Sequence, residues 1–98
     1  MKCSTEQVIE FLKSHREVFA REFTVEKIGI FGSYARGDAS EESDLDVIVE
    51  MKKPDLFFLI GIKQTVEEAL GVRVDIVRLR ENMNETLRKR IEKDVVYV

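Results

Sequence analysis

The sequence contains little of what stabilises small secreted domains or crosses membranes. Cys3 is the only cysteine among the 98 residues, which excludes a disulfide framework and a cysteine-based zinc site. The longest apolar run, residues 56–62, is far shorter than the roughly 20 residues that a membrane-spanning helix needs. No apolar signal-peptide core follows the N-terminus either. We therefore expect a cytoplasmic protein that makes no use of a membrane.

The chain also lacks the excess of positive charge that is typical of general nucleic-acid binders. Sixteen basic residues stand against nineteen acidic ones, which gives a net charge of −3 and argues against nucleic acid as a partner. The acidic residues are unevenly placed, because six of them and no basic residue lie within residues 38–50. Such a window can simply be a solvated loop. This one extends into a predicted strand, however, which indicates that a cation belongs there.

The pattern of apolar residues predicts a single domain, residues 1–98, in which helices and strands alternate. A capping box at Ser4 begins the first long helix. Pro54 is predicted in the first turn of the second, which runs to Leu70 and ends at Gly71. Asn82, followed three residues later by Glu85, predicts the cap of a last helix. A short helical turn is predicted at 34–36, and strands over residues 26–31, 44–50, 72–79 and 95–98. This order is typical of the α/β (α+β) class, with one layer of helices on a small sheet.

Three aspartates fall on two of these predicted strands. Asp44 and Asp46 are two residues apart, so their carboxylates leave the same face of the strand about 7 Å apart. Asp75 lies in the middle of the third strand and points away from that strand's apolar face. If the two strands are neighbours, the three anions converge and repel one another unless a cation lies among them. Such hard oxygen ligands suit Mg²⁺ or Mn²⁺, whereas the alternative is three independent, solvated side chains.

A glycine-serine turn precedes these aspartates and could hold phosphate. Gly32 follows a strand and has no Cβ, so an anion can approach the backbone, and the Ser33 hydroxyl can donate to it. The alternative is an ordinary turn between a strand and a helix. Two known phosphate motifs are excluded, because Asp38 stands where the P-loop has its lysine and no G-x-G-x-x-G is present. The turn is therefore a candidate phosphate site of another kind.

Together the turn and the aspartates resemble the signature of the DNA polymerase β-like nucleotidyltransferase superfamily. The matching pattern is a hydrophobic strand, Gly32-Ser33, ten residues, and then Asp44-Leu45-Asp46. More narrowly, GSYARGD at 32–38 and SDLD at 43–46 are similar to segments of the minimal nucleotidyltransferases. The resemblance covers nearly the whole chain. It implies a nucleotidyltransferase fold, with a small mixed β-sheet and helices packed mainly on one side, that uses Mg²⁺ (or Mn²⁺) and ATP.

The resemblance also implies a role for each residue of the signature. Asp44 and Asp46 would bind the metal ions. Asp75 would bind the catalytic metal and help to deprotonate an acceptor hydroxyl. Gly32 and Ser33 would hold the β- and γ-phosphates of the nucleotide. The metals would then stabilise in-line attack on the α-phosphate and the departing pyrophosphate.

Two further polar residues beside the signature each have two interpretations. Arg36 would add positive charge near the phosphates of the nucleotide, or it would form a surface or structural ion pair. Ser43 would contact the nucleotide, or it would fix the loop that leads to Asp44. The sequence alone leaves both pairs of alternatives open.

The resemblance implies a protein partner as well. Minimal nucleotidyltransferases are typically paired with a HEPN protein in toxin–antitoxin modules, where AMP is transferred to a tyrosine of the toxin. We expect the same of this chain, because it ends with its catalytic unit and the acceptor must come from elsewhere. One alternative is an antitoxin that only masks its partner sterically. Another is nucleotidyl transfer to a small molecule or to RNA.

The second long helix predicts a contact surface. On a helical wheel, Leu56, Phe57 and Ile60 fall outside the arc that would face the core. The alternative is that the start of this helix is buried all round by neighbouring segments. If it is exposed, the three side chains form an apolar patch that would contact a second copy or the acceptor protein.

Overall fold

The computed structural model describes residues 3–98, in which helices and strands alternate along the chain. The helices are α1 (Thr5–Phe23), α2 (Gly32–Arg36), α3 (Leu56–Leu70) and α4 (Glu85–Asp94). The strands are β1 (Val25–Phe31), β2 (Leu45–Met51), β3 (Val74–Arg78) and β4 (Val96–Tyr97). Each predicted element is present. Most strand ends lie one or two residues inside the predicted ones, whereas β1 begins and β2 ends one residue outside. None of the helices in this part of the chain is long and apolar enough to cross a bilayer.

The four strands form one mixed sheet in the order β3-β2-β1-β4. β1 is antiparallel to both β2 and β4, whereas β2 and β3 are parallel. The parallel pair needs a long crossover connection, which α3 supplies. The predicted mixed sheet of the nucleotidyltransferase fold is therefore confirmed.

The two faces of the sheet carry helices of different size. Strand alternation directs one set of buried apolar side chains toward the long helices α1 and α3, namely Ile28, Ile30, Leu45, Val47 and Val49. Phe31 and Ile48 point to the opposite face, where Ile91 of α4 packs against them. The prediction that helices lie mainly on one side holds for the two long helices. The short α4 covers part of the other face, which is the face that carries the aspartates.

Side-chain caps mark where α1, α3 and α4 begin. The caps of α3 and α4 differ from the prediction. The capping box at Ser4 is confirmed, since its Oγ accepts a 3.1 Å hydrogen bond from the Gln7 amide. The cap of α3 is Asp55, whose Oδ1 accepts from the Phe57 amide at 2.7 Å. Pro54 was predicted inside the first turn and instead precedes this cap. A carboxylate can satisfy the free amides of a first turn and a proline cannot, which explains the shift.

The start of α4 also differs from the prediction. The cap is Asn84, whose Oδ1 accepts from the Leu87 amide at 3.1 Å, and the predicted cap at Asn82 is wrong. Met83, between the two asparagines, is buried in the small core under α4. Residues 81–82 form a turn, and the helix begins only after Met83 has entered this core.

Candidate active site

The register of three strands brings two of the aspartates side by side. Asp46 of β2 is paired with Asp75 of the parallel strand β3 and, on its other side, with Phe31 at the end of β1. Paired residues on neighbouring strands lie about 4.8 Å apart and direct their side chains to the same face. Asp44 comes two residues earlier on that same side. The structure therefore places all three predicted carboxylates at one end of the sheet.

The three carboxylates differ in their exposure to water. Asp46 is half-buried, whereas Asp44 and Asp75 are exposed. Burial raises the pKa of the Asp46 carboxyl above its ordinary value, and the negative charges of Asp75 and Asp44 raise it further. Arg90 and Arg36 act in the opposite direction, but burial and repulsion prevail. Asp46 is thus the central carboxylate of the site, and its surroundings disfavour its charged form.

Gly32 lies directly against Asp46. Its backbone has a φ of +73°, in the region that favours glycine, and a Cβ at this position would overlap the Asp46 Oδ2 and lie 3.3 Å from its Cγ. Any side chain here would therefore displace the carboxylate. Gly37, at the other end of α2, has a similar φ of +83°, but a Cβ there would meet nothing within 4 Å. Only the first glycine is required by its contact with the aspartate.

Ser33 follows Gly32 at the start of α2 and is partly exposed. Its carbonyl accepts the amides of Gly37 and Asp38, each at 3.0 Å, so the backbone of this turn is fixed. Its hydroxyl has no hydrogen-bond partner within residues 3–98. A free hydroxyl beside the glycine suits the predicted phosphate contact, which stays a prediction.

The structure favours the structural interpretation of Arg36. Its guanidinium lies 2.8 Å from Asp94 of α4 and 3.2 Å from Asp38, and these two hydrogen bonds raise the pKa of Arg36. The Asp94 side chain is only 13% exposed, so this ion pair between α2 and α4 is partly shielded from solvent. The ion pair accounts for the position of Arg36, and its contribution to phosphate binding stays a prediction.

Ser43 is placed as its second interpretation expects. Its Oγ accepts a 2.9 Å hydrogen bond from the Ser40 amide, which fixes the turn before Asp44. The predicted contact between Ser43 and the nucleotide stays a prediction.

Two arginines of the site were missed by sequence reasoning. Arg73 lies 3.1 Å from the Asp44 carboxylate and donates to the Glu42 carbonyl at 3.2 Å. Arg90 of α4 is on the aspartate side of the sheet and acts on Asp46 through its charge. Both interactions depend on the tertiary structure, namely on the β2–β3 register and on the face of the sheet against which α4 packs. No local pattern in the sequence signals either of them.

The donor chemistry of the site fits a divalent cation, although the ligands are not assembled for one. Asp46 and Asp75 offer adjacent hard oxygens, and the repulsion that raises the Asp46 pKa is what a cation would relieve. Asp44 is engaged by Arg73. Within residues 3–98, no three acidic, histidine or cysteine side chains are close enough together to form a ready metal site. A cation here would therefore recruit Asp44 away from Arg73.

Residues 12–98, which include all of these side chains, match the sequence profile of a family described as Nucleotidyltransferase domain. The chain belongs to this family. This nucleotidyltransferase is 36% identical over 94 residues to the protein adenylyltransferase MntA of Thermococcus cleftensis. The alignment covers 95% of this chain and 94% of the relative. The family resemblance that the sequence predicted is therefore confirmed, and the chain is an enzyme of the nucleotidyltransferase class.

Solved structures agree with this assignment. A candidate minimal nucleotidyltransferase superposes on our nucleotidyltransferase with a TM-score of 0.79 at 32% identity, covering 96% of this chain and 95% of that one. A chain of the complex between a tri-AMPylated HEPN toxin and an MNT antitoxin of Shewanella oneidensis superposes with a TM-score of 0.62 at 21% identity. That match covers 90% of this chain and 69% of the other, and shows a common fold alone.

Proposed function

We propose that this nucleotidyltransferase transfers AMP from ATP to a tyrosine hydroxyl of a HEPN-type toxin and so acts as its antitoxin. The observation that carries the proposal is the close set of Gly32, Asp46 and Asp75, in which Gly32 lies directly against the Asp46 carboxylate and Asp46 is paired with Asp75. Two comparisons support the choice of nucleotide and acceptor. The Thermococcus relative is named a protein adenylyltransferase, and the Shewanella complex contains an AMPylated HEPN toxin.

Asp44, Asp46 and Asp75 would hold Mg²⁺ or Mn²⁺. A divalent cation at this place would neutralise the charge of the triphosphate and make the acceptor hydroxyl more acidic. The half-burial of Asp46 fits the role of a fixed anchor, because its carboxylate is confined between Gly32 and the neighbouring strand. The exposure of Asp75 fits contact with an acceptor that arrives from solution.

In the proposed reaction, the acceptor oxygen attacks the α-phosphorus of ATP. The bond between that phosphorus and the oxygen that bridges to the β-phosphate breaks, and pyrophosphate leaves with the electron pair. The Asp75 carboxylate takes the proton of the acceptor hydroxyl. The Ser33 hydroxyl and the backbone amides of Gly32 and Ser33 donate to phosphate oxygens. The missing side chain of Gly32 leaves room for the Asp46 carboxylate. Arg90 offsets part of the negative charge beside Asp46.

The test combines the purified protein, Mg-ATP and the product of the neighbouring gene as the candidate toxin. Intact-mass spectrometry of both chains should show the toxin heavier by one or more AMP groups, with the modified tyrosine found by peptide mapping. The matched control is Asp46→Asn, which keeps the shape of the side chain and should give no added mass. A complex that forms without any added nucleotide would support steric masking instead. Consumption of ATP without modification of either protein would point to a small molecule or RNA as the acceptor.

A further inference from the structure

The outer face of α3 carries an apolar patch that no other segment of residues 3–98 covers. Phe57 is 79% exposed, Leu56 is 69% exposed and Ile60 is 41% exposed. The alternative that neighbouring segments bury the start of this helix is therefore wrong. Large apolar side chains grouped in this way are unusual on the surface of a small monomer, and they indicate an interaction surface.

The charges on the same face are arranged in order along the helix. The patch shares an arc of about 140° with Lys63, Gln64 and Glu68, all of them exposed. Two exposed lysines, Lys52 and Lys53, and one exposed aspartate, Asp55, precede the helix, so its beginning has a net positive charge. Its second half carries Lys63 together with Glu67 and Glu68, which gives a net negative charge. Glu67 also lies in this arc, but its carboxylate accepts the Val74 amide at 2.9 Å and is held toward β3. Glu68 is therefore the exposed acidic side chain at the far end of this face, opposite in charge to the lysines that precede the helix.

We propose that the outer face of α3 binds the same face of a second copy, with the two helices antiparallel about a two-fold axis at Ile60. A two-fold axis at this point places Ile60 opposite Ile60, Phe57 opposite Lys63, and Leu56 opposite Gln64. The lysines before the helix then come to the acidic end of the other copy, near Glu68. A face that carries both signs in this order is complementary to itself only in the antiparallel arrangement. A parallel pairing would set lysine against lysine.

The area of the face decides how stable such a dimer can be. α3 has 15 residues, which makes it about 22 Å long. Stable interfaces usually bury about 800 Å² on each partner, and one helix face with its preceding loop provides less than a large obligate interface. We therefore expect a dimer that dissociates on dilution.

The dimer would leave both candidate active sites open. α3 packs on the sheet face that carries Val47 and Val49, whereas Asp46 and α4 lie on the opposite face. A second copy on α3 is therefore far from the carboxylates, and a toxin could still reach them. The inference does not depend on the proposed function, and dimerisation and AMP transfer can fail separately.

The first test measures mass in solution. Sedimentation or light scattering on the full chain should show monomers and dimers in a ratio that changes with concentration. Phe57→Glu and, separately, Ile60→Lys should each raise the dissociation constant about tenfold or more. The control Thr86→Glu adds the same charge as Phe57→Glu on exposed α4 and should leave the dimer unchanged. A wild-type chain that is monomeric at every concentration, or a dimer that survives both α3 variants, would overturn the proposal.

The second test examines the antiparallel register. Lys52→Glu and Glu68→Lys should each weaken the dimer, because each places like charges together across the interface. The double variant should restore it, since the two reversed charges meet again between copies. Failure of the double variant to recover would refute this register. Thermal melts of every variant accompany the measurements, and a large loss of stability in Phe57→Glu would show instead that the patch belongs to the core.

Discussion

Replacing Gly32 with alanine tests the contact that holds the candidate site together. The backbone there has a φ of +73°, and the new Cβ would overlap the Asp46 Oδ2 and crowd its Cγ. Two effects follow from one methyl group. The first is strain in a left-handed backbone, and the second is displacement of the central carboxylate.

Gly37→Ala separates these two effects. Its φ is +83° and its Cβ would meet no atom within 4 Å, so this variant carries the strain alone. A left-handed conformation costs an alanine about 1–2 kcal/mol relative to glycine. Each kcal/mol lowers the melting temperature of a domain of this size by about 4–8 °C. The two variants should therefore melt at similar temperatures, because a terminal carboxylate can rotate away from the clash at little further cost to the free energy of unfolding.

Their activities should differ widely. A misplacement of about 1 Å in a catalytic constellation can cost about 100-fold in rate, and Gly32→Ala should lose nucleotidyl transfer to about that degree. Gly37→Ala should stay within a few-fold of the wild type. The assay is the rate of AMP incorporation at saturating Mg-ATP, at a temperature where both variants are folded. Equal losses in the two variants would refute the reasoning, as would full activity in Gly32→Ala.

Three further variants test other contacts of the site. Ser33→Ala would remove the proposed hydrogen bond to a phosphate, worth about 1.5–3 kcal/mol; because the hydroxyl would be one donor among several, this variant should lower transfer less than Gly32→Ala. A larger loss would show that the hydroxyl matters more than the fit between Gly32 and Asp46. Asp46→Asn should abolish transfer yet melt higher than the wild type near neutral pH, by about 1 kcal/mol or less after solvent screening. Because the folded pKa of Asp46 is raised, its ionised form destabilises the fold; the advantage of the variant should therefore disappear in acid, and a constant difference across pH in thermal melts would contradict this. Arg73→Gln should bind Mn²⁺ more tightly, measured by electron paramagnetic resonance, because Asp44 loses a competing partner; unchanged affinity would show that the exposed ion pair is irrelevant to the cation.

Strand alternation was sufficient to predict which faces the aspartates occupy. It could not predict that they meet, since that depends on the pairing of β2 with β3, which links residues nearly thirty positions apart. Arg73 was missed for the same reason, because its contact with Asp44 exists only in that register. Arg90 required knowledge of the face on which α4 packs. Local sequence thus specified the elements and the signature, while the charges that surround the signature came from tertiary structure.

The cap of α4 shows how a local signal can lose to packing. Asn82 with Glu85 matches a capping box, and Asn84 has no glutamate or glutamine at the corresponding position. The helix nevertheless begins after Asn84, because Met83 is buried under α4 and must reach the sheet before the helix starts. Burying a methionine side chain stabilises the fold by about 1.5–3 kcal/mol. This exceeds the typical value of one cap, about 1 kcal/mol.

A four-stranded sheet has two faces, so a chain of this size can carry a site with an unfavourable buried charge on one face. The other face supports the helix that carries the contact surface. Asp46 is kept partly buried beside Asp75 although burial and repulsion oppose its charge, and this cost must be met by packing elsewhere. The larger apolar core, between the sheet and the helices α1 and α3, lies on the other face and is not interrupted by a charged side chain. The same core orients α3 so that Phe57 and its neighbours point outward. A change that weakens the α3 contact should therefore leave Asp46 in place, and a change at Asp46 should leave the α3 contact intact, because the sheet itself separates them.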